Sequence, residues 1–428
     1  MPAQAASGST MAQPNPAIRG TRAGTYAIVV PWPPEARGGV NQVVINLYKE
    51  IGRTGPYTPL LFIPDWHTPR LREREVAGCR TVLMRMRTPY GGRISVPVLW
   101  FLKYLLLMPV SFFRLRRLIA RYRIEAVNGQ FPSLDLVNFA VLALFGLYRG
   151  RLFLTFQGRD IHGVVATRGF ERRLWRWLLR RADAVVFCSD GLAKNLAKID
   201  PGLRSVTVRN SISVDDLIEE RQSAVAGRLP PGPFILNVAA FEHKKGQDVL
   251  IRAFARLAPD FPDTHLLLLG QPGPVYQELL SLAAALGLER RVHFMVNVPH
   301  AEILAYLDEA TVFALPSRAE GLPIALLEAG VFGVPAVASR ADGIPEVINS
   351  DDVGVLVDAD DEPGLERALR TLLADADLRR ALGQRLQKRV RDEFTWRRAW
   401  QEYLALMPND RPSSERESSR APLKTFRL

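Results

Sequence analysis

The sequence predicts an α/β protein built of two tandem Rossmann-like, doubly wound domains that face a cleft. Three observations carry this. The chain has 428 residues, too many for one ordinary core and suited to two domains of common size. Short apolar runs alternate with helical stretches in each half, the pattern of a parallel sheet covered on both faces. The alternation breaks at "AVAGRLPPGP" (224–233), a linker by composition, and then restarts.

The first domain is expected over 23–223. From Tyr26, "YAIVVPWPPEARGGVNQVVINLYKEI" reads as strand, glycine loop and helix, and "EAVNGQ", "RLFLTFQG" and "ADAVVFCS" as further buried strands. The second domain, over 234–390, is more regular. Strands "FILNVAAF", "HLLLLGQ", "RVHFMV", "VFALPS" and "PAVAS" alternate with helices such as "QDVLIRAFARLA", "YQELLSLAAALG" and "PIALLEAGVFG". Ligands of such sheets bind beyond the carboxyl ends of the strands, so the cleft between the domains is the expected site. Residues 1–22, rich in Ala, Ser, Gly and Pro without an apolar h-region, read as a disordered leader and not a signal peptide. Residues 408–428 read as a loose polar tail.

Charge is unevenly spread. Residues 1–228 hold 33 Lys+Arg against 16 Asp+Glu, a net of +17; the remainder holds 23 against 28, a net of −5, and the two sum to +12. A basic first half calls for an anionic partner. The stretch 96–123, "VPVLWFLKYLLLMPVSFFRLRRLIARYR", is interrupted by Pro97, Lys103 and Pro109, which argues against a membrane span. Two readings stay open: a helix lying on an anionic membrane surface, or a buried helix with a solvated basic end. A second basic-aromatic stretch, "ERRLWRWLLRRAD", favours the membrane. Cys79 and Cys188, far apart and in no metal-ligand spacing, point to a reduced, cytoplasmic setting.

Three loops in the second half share one design of strand end, short turn and helix start: "AAFEHKKGQD", "SRAEGLP" and "SRADGIPE". A helix start offers free N–H groups and a positive dipole end, suited to phosphate. Gly246, Gly321 and Gly343 would let backbone approach a ligand closely, and Lys245 adds a point charge. Glu320 lies before a helix that starts at Pro323, and Glu328 sits two turns along an otherwise apolar helix. A carboxylate accepts paired hydrogen bonds from vicinal hydroxyls, so the two could hold two sugars. As lone residues they read first as a helix-start charge and a solvated face position. Asp358-Ala359-Asp360 reads as loop charge, no Gly-x-x-x-x-Gly-Lys-Ser/Thr loop exists, and His67, His243, His265, His293 and His300 share no ligand spacing, so each reads as a surface or packed residue.

The spacing in "EGLPIALLE", with "KKGQDVLIRAF" upstream and "GIPEVI" downstream, resembles the retaining GT-B glycosyltransferases of family four (glycosyltransferase group 1). "ARGGVNQVV" is similar to their acceptor-domain loop, "TFQGRDIHG" to their His-Gly loop, "VRNSIS" to the segment before the linker, and "FTWRRAWQEY", within 391–407, to the helix that crosses back to the first domain. The resemblance implies transfer of a sugar from a nucleotide-diphosphate sugar, with no cofactor and no metal. It places Glu320 on the donor sugar and Glu328 on the ribose. Lys245 would meet the diphosphate, assisted by Gly246 and by backbone at Gly321, Leu322, Pro323, Gly343 and Ile344. Gly38, Gly39 and Asp160 would stand on the acceptor side, with Gln157 and His162 near the reaction. The acceptor is expected to be lipid-linked or a polysaccharide, in bacterial surface glycan synthesis at the cytoplasmic membrane face. The chain departs from the family pattern twice. Ala239 and Ala240 stand for a Gly-Arg pair, leaving Lys244 or Arg340 to replace the arginine, and Gln157 stands for the His-Gly histidine. Two other readings stand beside this one: a nucleotide-sugar-binding protein with a decayed site, which the departures favour, and a nucleotide-sugar epimerase on the same fold. No nucleic-acid-binding motif is visible.

Overall fold

The computed structural model describes residues 24–33, 38–65, 68, 70–90, 97–227 and 229–407; the leader, the polar tail and His67 lie outside them. Two sheets organise the chain. The first contains β1 (Thr25–Val29), β2 (Thr58–Pro64), β3 (Arg72–Val76), β4 (Cys79–Met84), β5 (Ile124–Gln130), β6 (Arg151–Phe156), β7 (Ala184–Phe187) and β8 (Val206–Thr207), in the order β3-β4-β2-β1-β5-β6-β7-β8. The second contains β9 (Phe234–Val238), β10 (His265–Gly270), β11 (Val292–Val296), β12 (Val312–Leu315), β13 (Ala336–Ser339) and β14 (Val355–Val357), in the order β11-β10-β9-β12-β13-β14. This second sheet is wholly parallel, and its order reverses between β9 and β12. Such a reversal opens a crevice at the carboxyl ends of the strands. In the first sheet the same reversal falls between β1 and β5.

The central strands are apolar because both faces are covered: every residue of β1 and β12 is buried. The one antiparallel pair among the described residues, β3 with β4, turns at Ala77-Gly78, both at positive φ. Its edge strand "REREV" is exposed at four of five positions. Charge on an edge discourages pairing with another chain, and without apolar alternation this strand leaves no period in the sequence.

The stretch read at 96–123 forms one helix, Pro97–Tyr122, with Pro109 inside it. Tyr104, Phe112, Leu115, Leu118 and Tyr122 are buried, while Leu102, Leu106, Val110 and Phe113 form an exposed row at three- and four-residue spacing. The chain crosses back at Phe394-Thr395, between helices Ala376–Glu393 and Trp396–Ala405 and a few residues later than 391. Trp400 then stands edge-on to Tyr26 at 5.1 Å, inside the apolar layer of the first domain. The two domains also share a core: Phe156, Phe187 and Cys188 belong to one apolar cluster with Leu322, Leu326 and Ile344.

Candidate active site

The turn after β12 carries Glu320. Its Oε1 accepts from Lys245 Nζ at 2.6 Å and from Ser317 Oγ at 2.8 Å, and its backbone N–H donates to Asp342 Oδ2 at 2.9 Å. Lys245 ends the short turn His243–Lys245 after β9, and Gly246 follows in the left-handed conformation at φ 65°. A side chain at Gly246 would strike the Pro316 carbonyl oxygen, so glycine is required there for conformation and for space. Neighbouring strand ends across the β9/β12 crevice thus supply a cation and a carboxylate that meet. Glu320 Oε2 takes no hydrogen bond from the described residues.

Eight residues on, Glu328 lies inside helix Ile324–Val331 and is 5% exposed, not the solvated position that the sequence leaves open. Its Oε1 meets His300 Nε2 at 2.8 Å, and His300 Nδ1 meets Glu220 Oε1 at 2.9 Å. Burial pulls the imidazole pKa down, and the hydrogen bonds to Glu220 and Glu328 outweigh it, raising it from 6.5 to about 10. His300 is therefore an imidazolium between two carboxylates. The other charges on this group are Asp216 of helix Val214–Gln222 and Lys49 of helix Gly39–Thr54, both acting on Glu220. A histidine pKa raised on folding stabilises fully below the unfolded value and progressively less as pH climbs to the folded one. The melting temperature of the wild type should accordingly fall more steeply than that of His300→Gln between pH 6.5 and about 10. Parallel curves would show that the pair adds no stability.

The first domain forms the opposite wall. Gly39 lies across from Ile324, whose Cγ1 is 3.8 Å from where a Gly39 Cβ would be, and Gly38, at φ 154°, has no atom of the described residues within 4 Å of its Cβ position. Gly158 faces the Gly321 nitrogen, and Ser189 Oγ donates to Gly321 O at 3.0 Å. Arg159 reaches over to Glu242 after β9, with Nη1 4.0 Å from Oε1. Gln157 is turned inward. Its Nε2 donates to Gln130 Oε1 at 2.7 Å and its Oε1 accepts from Asn210 Nδ2 at 2.8 Å. Gln130 donates in turn to the Tyr403 hydroxyl at 3.1 Å. Asp160 is 7% exposed and caps its own turn, accepting from the backbone N–H of Gln157, Gly158 and Ile161. Burial pushes its pKa up to about 6 against the pull of those donors. His162 is exposed on helix Arg159–Ala166. Of the four positions in this loop, only Arg159 thus reaches toward the second domain through its side chain.

The glycines of the second domain are used differently from the sequence expectation. A Cβ on Gly321 would strike the Gln157 carbonyl oxygen, and one on Gly343 would strike the Gly321 carbonyl oxygen. The space they spare is filled by protein, not left for a ligand. Several expected backbone donors are occupied too: Ile344 N–H donates to Ala341 O at 2.9 Å and Gly246 N–H to His243 O at 3.3 Å. Leu322 is buried with its N–H against the Cys188 thiol. Pro323 is the residue before the helix and not its first. Neither proposed substitute for the arginine stands unpaired: Lys244 Nζ is 3.2 Å from Glu242 and Arg340 Nε 3.8 Å from Asp358. Asp360 pairs with Arg318 at 2.7 Å.

His300, Ser317 and Glu220 are the residues that sequence reasoning misses. Ser317 had a signal, since it precedes Glu320 by three residues in the same turn. His300 had none: its partners lie 28 and 80 residues away in sequence.

Comparison with known proteins fits this geometry. The family described as "Glycosyltransferase Family 4" matches residues 37–216, and "Glycosyl transferases group 1" matches residues 219–389. The chain is 29% identical over 390 residues to a GDP-mannose-dependent alpha-(1-6)-phosphatidylinositol monomannoside mannosyltransferase of Mycolicibacterium smegmatis, covering 85% of this chain and 93% of that protein. It is 30% identical over 223 residues to a glycogen synthase of Mycobacterium tuberculosis, spanning about half of each, 51% and 52%. Among solved structures, a sucrose-phosphate synthase from Thermosynechococcus elongatus superposes with TM-score 0.68 at 21% identity, covering 89% of this chain and 98% of that one. Anabaena HepE, solved with UDP and glucose, superposes with TM-score 0.65 at 18% identity, covering 89% and 98%. At these identities the structures speak for the fold alone.

Proposed function

The chain belongs to the GT-B glycosyltransferases of family 4, and from that premise we propose that it moves a sugar, with retention of configuration, from a nucleotide-diphosphate sugar to a lipid-linked or polysaccharide acceptor. The observation that carries the reading is the Lys245–Glu320–Ser317 cluster at the β9/β12 crevice. In this reading the bond from the anomeric carbon to the diphosphate breaks as an acceptor oxygen approaches the same face. The acceptor proton passes to the departing phosphate oxygen, and the new glycosidic bond forms. Charge builds on the leaving diphosphate, where Lys245 stabilises it. Glu320 Oε2 holds the sugar hydroxyls, and Glu328 the ribose. Gln157, bonded on both sides, orients the first-domain wall and moves no proton. With lysine supplying the positive charge, the reaction requires no metal.

The experiment is a nucleotide-sugar screen by mass spectrometry with bacterial membrane lipid extract, run with and without a chelator. Release of nucleoside diphosphate together with a sugar-shifted lipid, preserved in chelator and absent in Glu320→Ala, is the expected result. Donor binding without turnover across all donors and extracts would overturn transfer.

We propose further that the exposed row Leu102, Leu106, Val110 and Phe113 seats the protein on the inner face of an anionic membrane, as part of surface glycan synthesis. No helix among the described residues is long and apolar enough to cross a bilayer. The row is continued by Arg114, Arg116, Arg117 and Arg121, and the Arg117 guanidinium lies 5.4 Å from the Phe113 ring centre. Apolar side chains beside arginines match the boundary between acyl chains and acidic headgroups. The protein should float with phosphatidylglycerol vesicles at physiological salt, and Leu106→Asp with Phe113→Asp should abolish this. Equal behaviour of wild type and variant would remove the membrane from the reading.

A further inference from the structure

Glu320 and Glu328 share a design. Each has its Oε1 fixed by a cation, Lys245 at 2.6 Å for the one and His300 at 2.8 Å for the other, and each keeps an Oε2 without a hydrogen bond from the described residues. A carboxylate held at one oxygen has its plane and reach set in advance, so a ligand that bonds to the other oxygen need not order it.

We infer that His300 is a positioning residue for the nucleotide: it holds Glu328 so that Oε2 meets the ribose hydroxyls, and through Glu220 it ties that contact to helix Val214–Gln222. The inference rests on reading Glu328 as the ribose contact. Helix Val214–Gln222 is the last element before the linker and is anchored to both domains. Asp216 accepts from Arg53 Nη2 of helix Gly39–Thr54 at 2.9 Å, and Arg221 bonds Asp308 of helix His300–Glu309 at 2.9 Å. Glu220, on the same helix, fixes the second nitrogen of His300 at 2.9 Å. The imidazole is thus held from two sides, and its protonated state supplies a donor to each. A neutral imidazole could donate to only one of the two carboxylates. The grip on the ribose and the helix that joins the domains are linked by one side chain.

Calorimetric titration separates this role from a merely structural one. The probes are whichever of UDP, GDP and ADP the wild type binds most tightly, and inorganic pyrophosphate, which lacks the ribose. His300→Ala is expected to weaken the nucleoside diphosphate roughly ten- to hundredfold, the worth of a hydrogen bond to a charged group, and to leave pyrophosphate unchanged. Donor KM should rise by the same factor with kcat at saturation little altered. Glu328→Gln should show the same selective loss, and the double variant no more than either alone. His300→Gln, which keeps a donor toward Glu328, should recover part of the affinity and guards against a variant that folds poorly. Equal weakening of both probes, or fully additive losses, would overturn the inference. If Glu328→Gln itself leaves nucleotide affinity untouched, the ribose assignment of Glu328 is what fails.

Discussion

Lys245→Ala is expected to lower kcat by about a hundred- to a thousandfold, the loss typical of removing one donor from a site of developing negative charge. The lysine stands 2.6 Å from Glu320, so the substitution also leaves a carboxylate of 9% side-chain exposure without its cation. Removing one partner of a buried pair destabilises because the remaining charge stays desolvated. Stability and activity must therefore be read apart. Lys245→Ala should melt below the wild type, and adding Glu320→Gln should recover much of the melting temperature, because the uncompensated charge is gone. It should recover no turnover. If the double variant regained activity, the lysine would act only by balancing Glu320, and neither leaving-group stabilisation by Lys245 nor sugar binding by Glu320 would stand.

Gly321→Ala is the second large effect. Gly321 is packed between the two domains, with a new Cβ aimed at the Gln157 carbonyl oxygen and 3.0 Å from Cys188 Sγ. Both neighbours belong to rigid strand ends of the first domain and cannot swing aside as a long side chain would. Overpacking of this kind costs about 1–3 kcal/mol, and here it falls on the contact that brings Gly158 opposite Gly321. The expected result is a lowered melting temperature together with a kcat loss larger than that of Gly163→Ala on helix Arg159–Ala166, whose Cβ position meets nothing within 4 Å. Wild-type turnover in Gly321→Ala would mean that the two walls need not approach this closely during catalysis.

The alternation of apolar runs and helices makes β1, β5, β6, β7 and β9 to β13 legible in the sequence, because buried parallel strands have no polar face to blur the pattern. β3 is not legible, since an edge strand of "REREV" follows no apolar period. At the site, Lys245 and Glu320 are readable as strand-end residues and the structure brings them into contact. Gln157 and Asp160 are readable as a loop beside the cleft, but side-chain direction is not. Whether Gln157 points outward or toward Gln130 and Asn210 depends on residues 27 and 53 positions away. The same holds for the glycines. A glycine signals close approach, and only the folded chain says whether a ligand or a carbonyl does the approaching.

The helix Trp396–Ala405 has a consequence for how the molecule is made. Its Trp400 and Tyr403 are buried in the layer that also holds Tyr26 and Val44, yet they leave the ribosome after the entire second domain. At ordinary translation rates the delay is on the order of tens of seconds. Through that interval, while the strands of the second domain are still being made, the nascent first domain presents an uncapped apolar groove. The order of synthesis therefore exposes the earlier-made half longest.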